Sequence, residues 1–141
     1  LDPANPYELT AQEQEVIDQI QQSFIHCEKL QQHIQFMYSH GSLYKVYNGN
    51  LLYHGCIPLT KEGDFLPVQI FGKTYSGRAL YDVLDTYARK GYYATDNREK
   101  IRGQAILWYL WENPNSPVFG KEKMATFERY FVAEKALHII C

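Results

Sequence analysis

The sequence predicts an α/β chain of α+β character, and three observations carry that reading. Apolar residues at Val16, Ile20, Phe24, Cys27, Leu30, Ile34 and Met37 recur with the period of one helix face. Two β-prone runs, Leu43 to Tyr47 and Asn50 to His54, flank an Asn48-Gly49 pair. Helical spacing then returns at Leu80, Val83, Leu84, Tyr87 and Ala88, and again at Ile101, Ala105, Trp108 and Tyr109.

In chain order, Pro3 and Pro6 make the first residues an extended lead-in. Thr10 with Glu13 three residues on is a capping-box pattern, so a long helix is expected over 10–40, stopped at His40-Gly41-Ser42. Asn and Gly tolerate the positive φ of a type I′ turn, which makes residues 43–54 a hairpin. After a loop with Pro58 and Gly63, a strand is expected at Val68 to Phe71 and a turn at Gly72-Lys73, so hairpin and strand occupy 42–71. A helical extension should fill 76–135. Its first helix ends at Gly91, and its second is capped by Asp96 and Glu99 and stopped by Asn113-Pro114. A last helix carries Met124, Phe127 and Phe131. No internal repeat, low-complexity tract or linker divides the chain.

With 141 residues, 45% of them hydrophobic and 21% charged, the chain has the composition of one globular core. Fourteen Lys and Arg against sixteen Asp and Glu leave a net charge of −2, which provides no field for a polyanion and argues against a nucleic-acid partner. The longest apolar stretches, Ala105 to Trp111 and Ala136 to Cys141, fall far short of the roughly 20 residues that cross a bilayer, so no membrane partner is expected. The chain opens Leu1-Asp2-Pro3, with neither an initiator Met nor a secretory signal, and reads as a piece of something longer. Cys27, Cys56 and Cys141 form no C-x-x-C pair and cannot all be bridged, which suits a reducing, cytoplasmic location.

Several side chains invite a chemical role. His26, His33 and His40 recur every seven residues, but at 1.5 Å rise successive imidazoles lie about 10.5 Å apart, too far to share one ion. Asp82 and Asp85 are three apart on a helix, a spacing that usually faces water. Cys56 near His54 suggests a thiol–imidazole pair, although alternate positions on an extended segment need not meet. Ser76-Gly77-Arg78 opens a helix whose amides can receive a phosphate, and an ordinary Ser N-cap explains the same residues. His54 differs from these. It ends the second hairpin strand and precedes Gly55-Cys56-Ile57-Pro58, a strand-to-loop exit of the kind where ligating side chains sit, though a packed core histidine is the commoner case.

The run from Tyr47-Asn48-Gly49 through Tyr53-His54-Gly55-Cys56-Ile57-Pro58 resembles the His-Gly strand exit of calcineurin-like metallophosphoesterases, with a helix and hairpin before it in the same order. Pro6-Tyr7-Glu8-Leu9-Thr10, Phe71-Gly72-Lys73-Thr74-Tyr75-Ser76-Gly77, Trp108-Tyr109-Leu110-Trp111 and the stretch from Pro114-Asn115-Ser116-Pro117 to Phe127-Glu128-Arg129-Tyr130-Phe131 sharpen the likeness. Together they resemble the class III fructose-1,6-bisphosphatases of bacteria, of the Firmicutes type, from the lead-in to about Ala133. The last residues, Leu137 to Cys141, depart from the polar continuation expected of that family.

The resemblance implies that the chain is an internal segment of a catalytic region, part of a calcineurin-like sandwich. It implies a manganese-dependent hydrolase that removes the 1-phosphate of fructose 1,6-bisphosphate, giving fructose 6-phosphate and phosphate in gluconeogenesis. Two metal ions would there activate a hydroxide for in-line attack. Of the superfamily's ligand motifs only the His-Gly exit is present, so His54 is the one metal ligand it implies. Asp-x-His is absent, Gly63-Asp64 lacks its second Asp, and Gly49-Asn50 is followed by Leu51. The segment by itself is therefore expected to be inactive. A sugar bisphosphate substrate would make Lys121, Lys123 and Arg129 candidates for phosphate contact.

Two other functions compete. One is another metallophosphoesterase activity, on phosphoproteins or nucleotides. The other is a non-catalytic regulatory or assembly module, for which twelve tyrosines and two tryptophans furnish an interface, a homo-oligomer included.

Overall fold

The computed structural model describes residue 5 and residues 8–118. Two compact units divide the chain, Leu1–Gly41 and Ser42–Cys141. The expected helix at Met124 to Phe131 and the candidates Lys121, Lys123 and Arg129 lie outside the described residues.

In the first unit the helix expected over 10–40 is two helices, α1 at Ala11–Ile25 and α2 at Glu28–His40. The capping box forms: Thr10 Oγ accepts from the Glu13 amide at 3.3 Å, and Glu13 accepts from the Thr10 amide at 2.8 Å. Those bonds favour the ionised acid and hold the Glu13 carboxyl below its ordinary range. The break falls at Cys27, whose extended backbone starts α2. Around it the Gln31 side-chain amide donates to the Ile25 carbonyl at 3.4 Å, and the Gln22 carbonyl, which accepts the His26 backbone amide at 3.0 Å, also lies 2.9 Å from His26 Nδ1. Neither Pro nor Gly marks the break, which is why periodicity alone runs through it. The stripe is amphipathic as read, yet no described residue of either helix is buried.

In the second unit β1, Tyr44–Tyr47, pairs antiparallel with β2, Asn50–Tyr53, in the register Tyr44 to Tyr53. Asn48 and Gly49 take φ of 49° and 77°, the type I′ turn that the dipeptide requires. A second hairpin joins β3, Val68–Ile70, to β4, Lys73–Tyr75. Sequence reading ends the first of these strands at Phe71 and turns at Gly72-Lys73. Instead Phe71 and Gly72 are the turn, with φ of 48° and 81°, and Lys73 begins a strand. A left-handed Phe costs of order 1–2 kcal/mol. Its ring is held in exchange, edge-on to Tyr87 at 4.9 Å and beneath the Arg102 guanidinium at 5.3 Å.

Helix α3, Gly77–Tyr93, and helix α4, Asn97–Glu112, complete the unit. Gly91 does not end α3, which continues to Tyr93. It lies instead where the two helices cross: a Cβ on Gly103 would fall 2.0 Å from the Gly91 nitrogen. Asp96 caps α4 by accepting from the Glu99 amide at 2.8 Å, and Glu99 is ion-paired to Lys90, tying the start of α4 to the end of α3. The core is Val68, Ile70, Leu80, Leu84, Ala88, Ile106 and Leu110, with Leu80 and Leu84 fully enclosed. Each such leucine contributes roughly 1.5–3 kcal/mol of burial free energy.

The described residues are thus a mixed α+β assembly with two separate two-stranded antiparallel sheets. Among them no helix is long and apolar enough to cross a membrane. Gly103→Ala should drive α3 and α4 apart and lower stability by roughly 1–3 kcal/mol, read as the shift in denaturant midpoint at unchanged slope.

Candidate functional site

His54 follows β2 directly and is exposed. Its backbone is pinned on the strand side by the hairpin ladder and on the other by contacts after it. Gly55 has φ of 86°, and a Cβ there would lie 2.2 Å from the Pro117 carbonyl oxygen. Only glycine lets the loop after α4 come this close. The Cys56 amide then donates to the same Pro117 carbonyl at 3.0 Å. The Cys56 carbonyl accepts from the Tyr81 hydroxyl at 2.8 Å, and the Cys56 thiol packs 4.0 Å from the Ser116 carbonyl.

The loop that grips the exit is itself saturated with hydrogen bonds. Ser116 is fully buried, and its hydroxyl donates to the Leu110 carbonyl at 2.9 Å while accepting from the Val118 amide at 3.1 Å. Tyr109 donates to the Asn115 carbonyl at 3.0 Å, and the Asn113 side chain accepts from the Asn115 amide. Burial pushes the Tyr81 and Tyr109 hydroxyls up to about 12, so both remain donors through the neutral range.

The other sequence candidates fall in separate places. Asp82 accepts from the Tyr44 hydroxyl at 2.8 Å and faces Arg78, whereas Asp85 pairs with Arg89 at 2.7 Å. Each carboxylate has its own cation, which leaves no unequal acid and base pair. Cys56 is buried while His54 is exposed, an arrangement unlike a nucleophile beside its base. At the α3 N-terminus the Phe65 ring stands 3.2 Å from where a Gly77 Cβ would be, and Ser76 makes no side-chain cap. Arg78 is engaged by Tyr44 at 3.0 Å. The Phe65 ring therefore packs against that helix end. Beside it an apolar cavity of about 220 Å³ opens between the first hairpin and α3, lined by Val46, Leu51, Phe65 and Tyr81 among others.

Among the described residues no group of three or more His, Cys, Asp or Glu side chains is placed to hold a metal ion. His54 provides one exposed donor, and a divalent ion needs several. The described residues do not by themselves fit a metal centre, and no catalytic step is derived through one. Sequence reasoning missed Tyr81, Ser116 and Pro117. Tyr81 lies outside the stripe read on α3, and nothing local in Asn113 to Val118 signals a partner sixty residues earlier.

Fold and site together define an α+β segment that presents an exposed histidine at a strand exit. Residues 1–139 match the family model described as Firmicute fructose-1,6-bisphosphatase, and the chain belongs to that family. It is 54% identical over 140 residues to the class 3 fructose-1,6-bisphosphatase of Clostridium tetani (strain Massachusetts / E88). Identity is 51% to that of Clostridium botulinum (strain Loch Maree / Type A3) and 49% to one from Clostridium beijerinckii. Each match covers 98% of this chain but 21% of the relative, so the chain spans about a fifth of their length. No solved structure matches it significantly.

The raised tyrosines fix a pH dependence. Between their ordinary value of 10.0 and about 12 the folded chain holds protons that the unfolded chain has lost, so stability falls as pH rises through that window. Denaturant midpoints measured against pH should show the decline, and Tyr81→Phe or Tyr109→Phe should each make it shallower.

Proposed function

We propose that the intact protein hydrolyses the 1-phosphate of fructose 1,6-bisphosphate to give fructose 6-phosphate, and that this chain contributes one wall of the catalytic region. The observation that carries the reading is the identity of about half, spread along 98% of the chain, to proteins named for that activity. His54 is proposed as a metal ligand, its remaining co-ligands coming from parts of the intact protein outside this chain. Its exposure at a strand exit supports the role, because a ligand must be reachable by the other donors. The two hairpins would extend larger sheets of a calcineurin-like sandwich, a reading supported by the exposed Val46, Leu51 and Leu52 of the first.

The proposed cofactor is manganese, which suits a mixed imidazole and carboxylate set. The chemistry a bound pair of ions supplies is charge neutralisation at the phosphoryl oxygens and acidification of a water. What this chain would add is an imidazole held at a fixed point. Lys121, Lys123 and Arg129 are proposed to contact substrate phosphate, and a cytoplasmic location is proposed on the strength of the sugar-phosphate substrate. A second reading, that the chain serves only in packing against the rest of the polypeptide, is favoured by the first unit, where Ile20, Phe24 and Phe36 are all exposed.

The deciding measurement is manganese-dependent fructose 1,6-bisphosphate hydrolysis by the full-length protein. His54→Ala should lower kcat at least about 100-fold, whereas a packing-only segment would keep its activity. Alanine at Lys121, Lys123 or Arg129 should raise KM for the bisphosphate with kcat little changed, and unaltered kinetics would remove those residues from the site.

A further inference from the structure

We propose that the apolar cavity between the first hairpin and α3 is the docking site of residues 119–131 of this same chain, filled by the apolar side chains of that segment, Phe119 first. The inference is independent of any role for His54 in catalysis.

The register of the hairpin sorts its side chains onto two faces. Tyr44 stands opposite Tyr53 and Val46 opposite Leu51, so these four share one face, while Lys45, Tyr47 and Leu52 take the other. All four line the cavity of about 220 Å³, and Phe65 and Tyr81 line it from elsewhere in the unit. Part of that face is already covered, since the Tyr44 ring meets Tyr81 edge-on at 5.7 Å. The rest is open: Val46 and Phe65 are more than half exposed and Leu51 is half exposed.

A pocket for a small molecule carries a few convergent polar groups that orient its ligand. Here those groups are already engaged. The Tyr44 hydroxyl donates to Asp82 at 2.8 Å and accepts from Arg78 at 3.0 Å, and the Tyr81 hydroxyl donates to the Cys56 carbonyl at 2.8 Å. What remains of the lining is chiefly hydrocarbon and aromatic ring, which suits apolar side chains of a polypeptide.

Val118, the last described residue, lies beside this cavity. It packs against the core, and its carbonyl oxygen and Cα would stand 2.9 Å and 3.0 Å from a Cβ on Gly55. Gly55 is two residues from Tyr53 and two from Ile57, and both of those line the cavity. At about 3.3–3.6 Å per extended residue, two or three residues beyond Val118 span that gap. The next residue is Phe119, and Met124, Phe127 and Phe131 follow at spacings of three and four. Docking a stretch joined this closely closes a short loop, whereas a stretch from elsewhere in the intact protein loses more entropy for the same apolar contact.

The test uses the purified full-length protein with the photoreactive residue p-benzoylphenylalanine in place of Leu51. Irradiation should join it, within one polypeptide, to a peptide from residues 119–131 identified by mass spectrometry, and Phe119→Ala in the same background should lose most of that product. The same reporter in place of Leu52, on the opposite face of the hairpin, should not capture the segment. Capture of any other stretch of the polypeptide, a dimer-sized product joining two copies, or no protein product at all overturns the proposal. So does capture from Leu52 equal to that from Leu51, or capture undiminished by Phe119→Ala. If the Leu51 variant fails to fold, Val46, its more exposed partner across the ladder, takes the reporter and decides in its place.

Discussion

The constraint on which the second unit turns is a backbone contact between two loops, the Cys56 amide against the Pro117 carbonyl, made possible by the missing side chain at Gly55. Closing a loop of this length has an entropic cost that grows only slowly with the number of residues enclosed, of order a few kcal/mol. Burial of Leu80, Leu84, Ile106 and Leu110 between the same elements offsets it. Gly91 and Gly103 let the two helix backbones approach closely, and the loop that meets the His54 exit follows α4.

Local strain elsewhere follows the same pattern of a cost accepted for a tertiary contact. Phe71 occupies a left-handed position that glycine or asparagine would hold more easily, but neither could place an aromatic ring between Tyr87 and Arg102. The second hairpin is thus fastened to both helices by its own turn. The first hairpin fastens differently, through Tyr44, whose ring meets Tyr81 edge-on at 5.7 Å and whose hydroxyl bridges Arg78 and Asp82. Since Tyr81 also holds Cys56, one aromatic residue of α3 touches both the body of the hairpin and the turn that leaves it.

Features whose signal is local were legible in the sequence. The capping box at Thr10, the Asn48-Gly49 turn and the Asp96 cap each depend on residues within three or four positions of one another, and each is present. Features decided by distant partners were not. The interruption at Cys27 lies inside an unbroken apolar period, the turn at Phe71 contradicts local preference, and Gly91 has the look of a helix terminator until its neighbour across the crossing is seen. At the candidate site the position of His54 after a strand was readable. Tyr81 and Ser116 were not, because a tyrosine inside a helix and a serine in a proline-rich loop acquire their roles only from the carbonyl and amide groups they meet.

Polar groups are used unevenly among the described residues of the second unit. The carboxylates Asp82 and Asp85 are spent on cations at the surface, while the buried hydroxyls of Tyr81 and Ser116, which carry no charge and incur little desolvation cost once bonded, are gathered around the turn that follows His54. Neutral donors can be enclosed there because each hydroxyl meets a carbonyl acceptor, whereas a carboxylate in the same place would carry a far larger desolvation penalty.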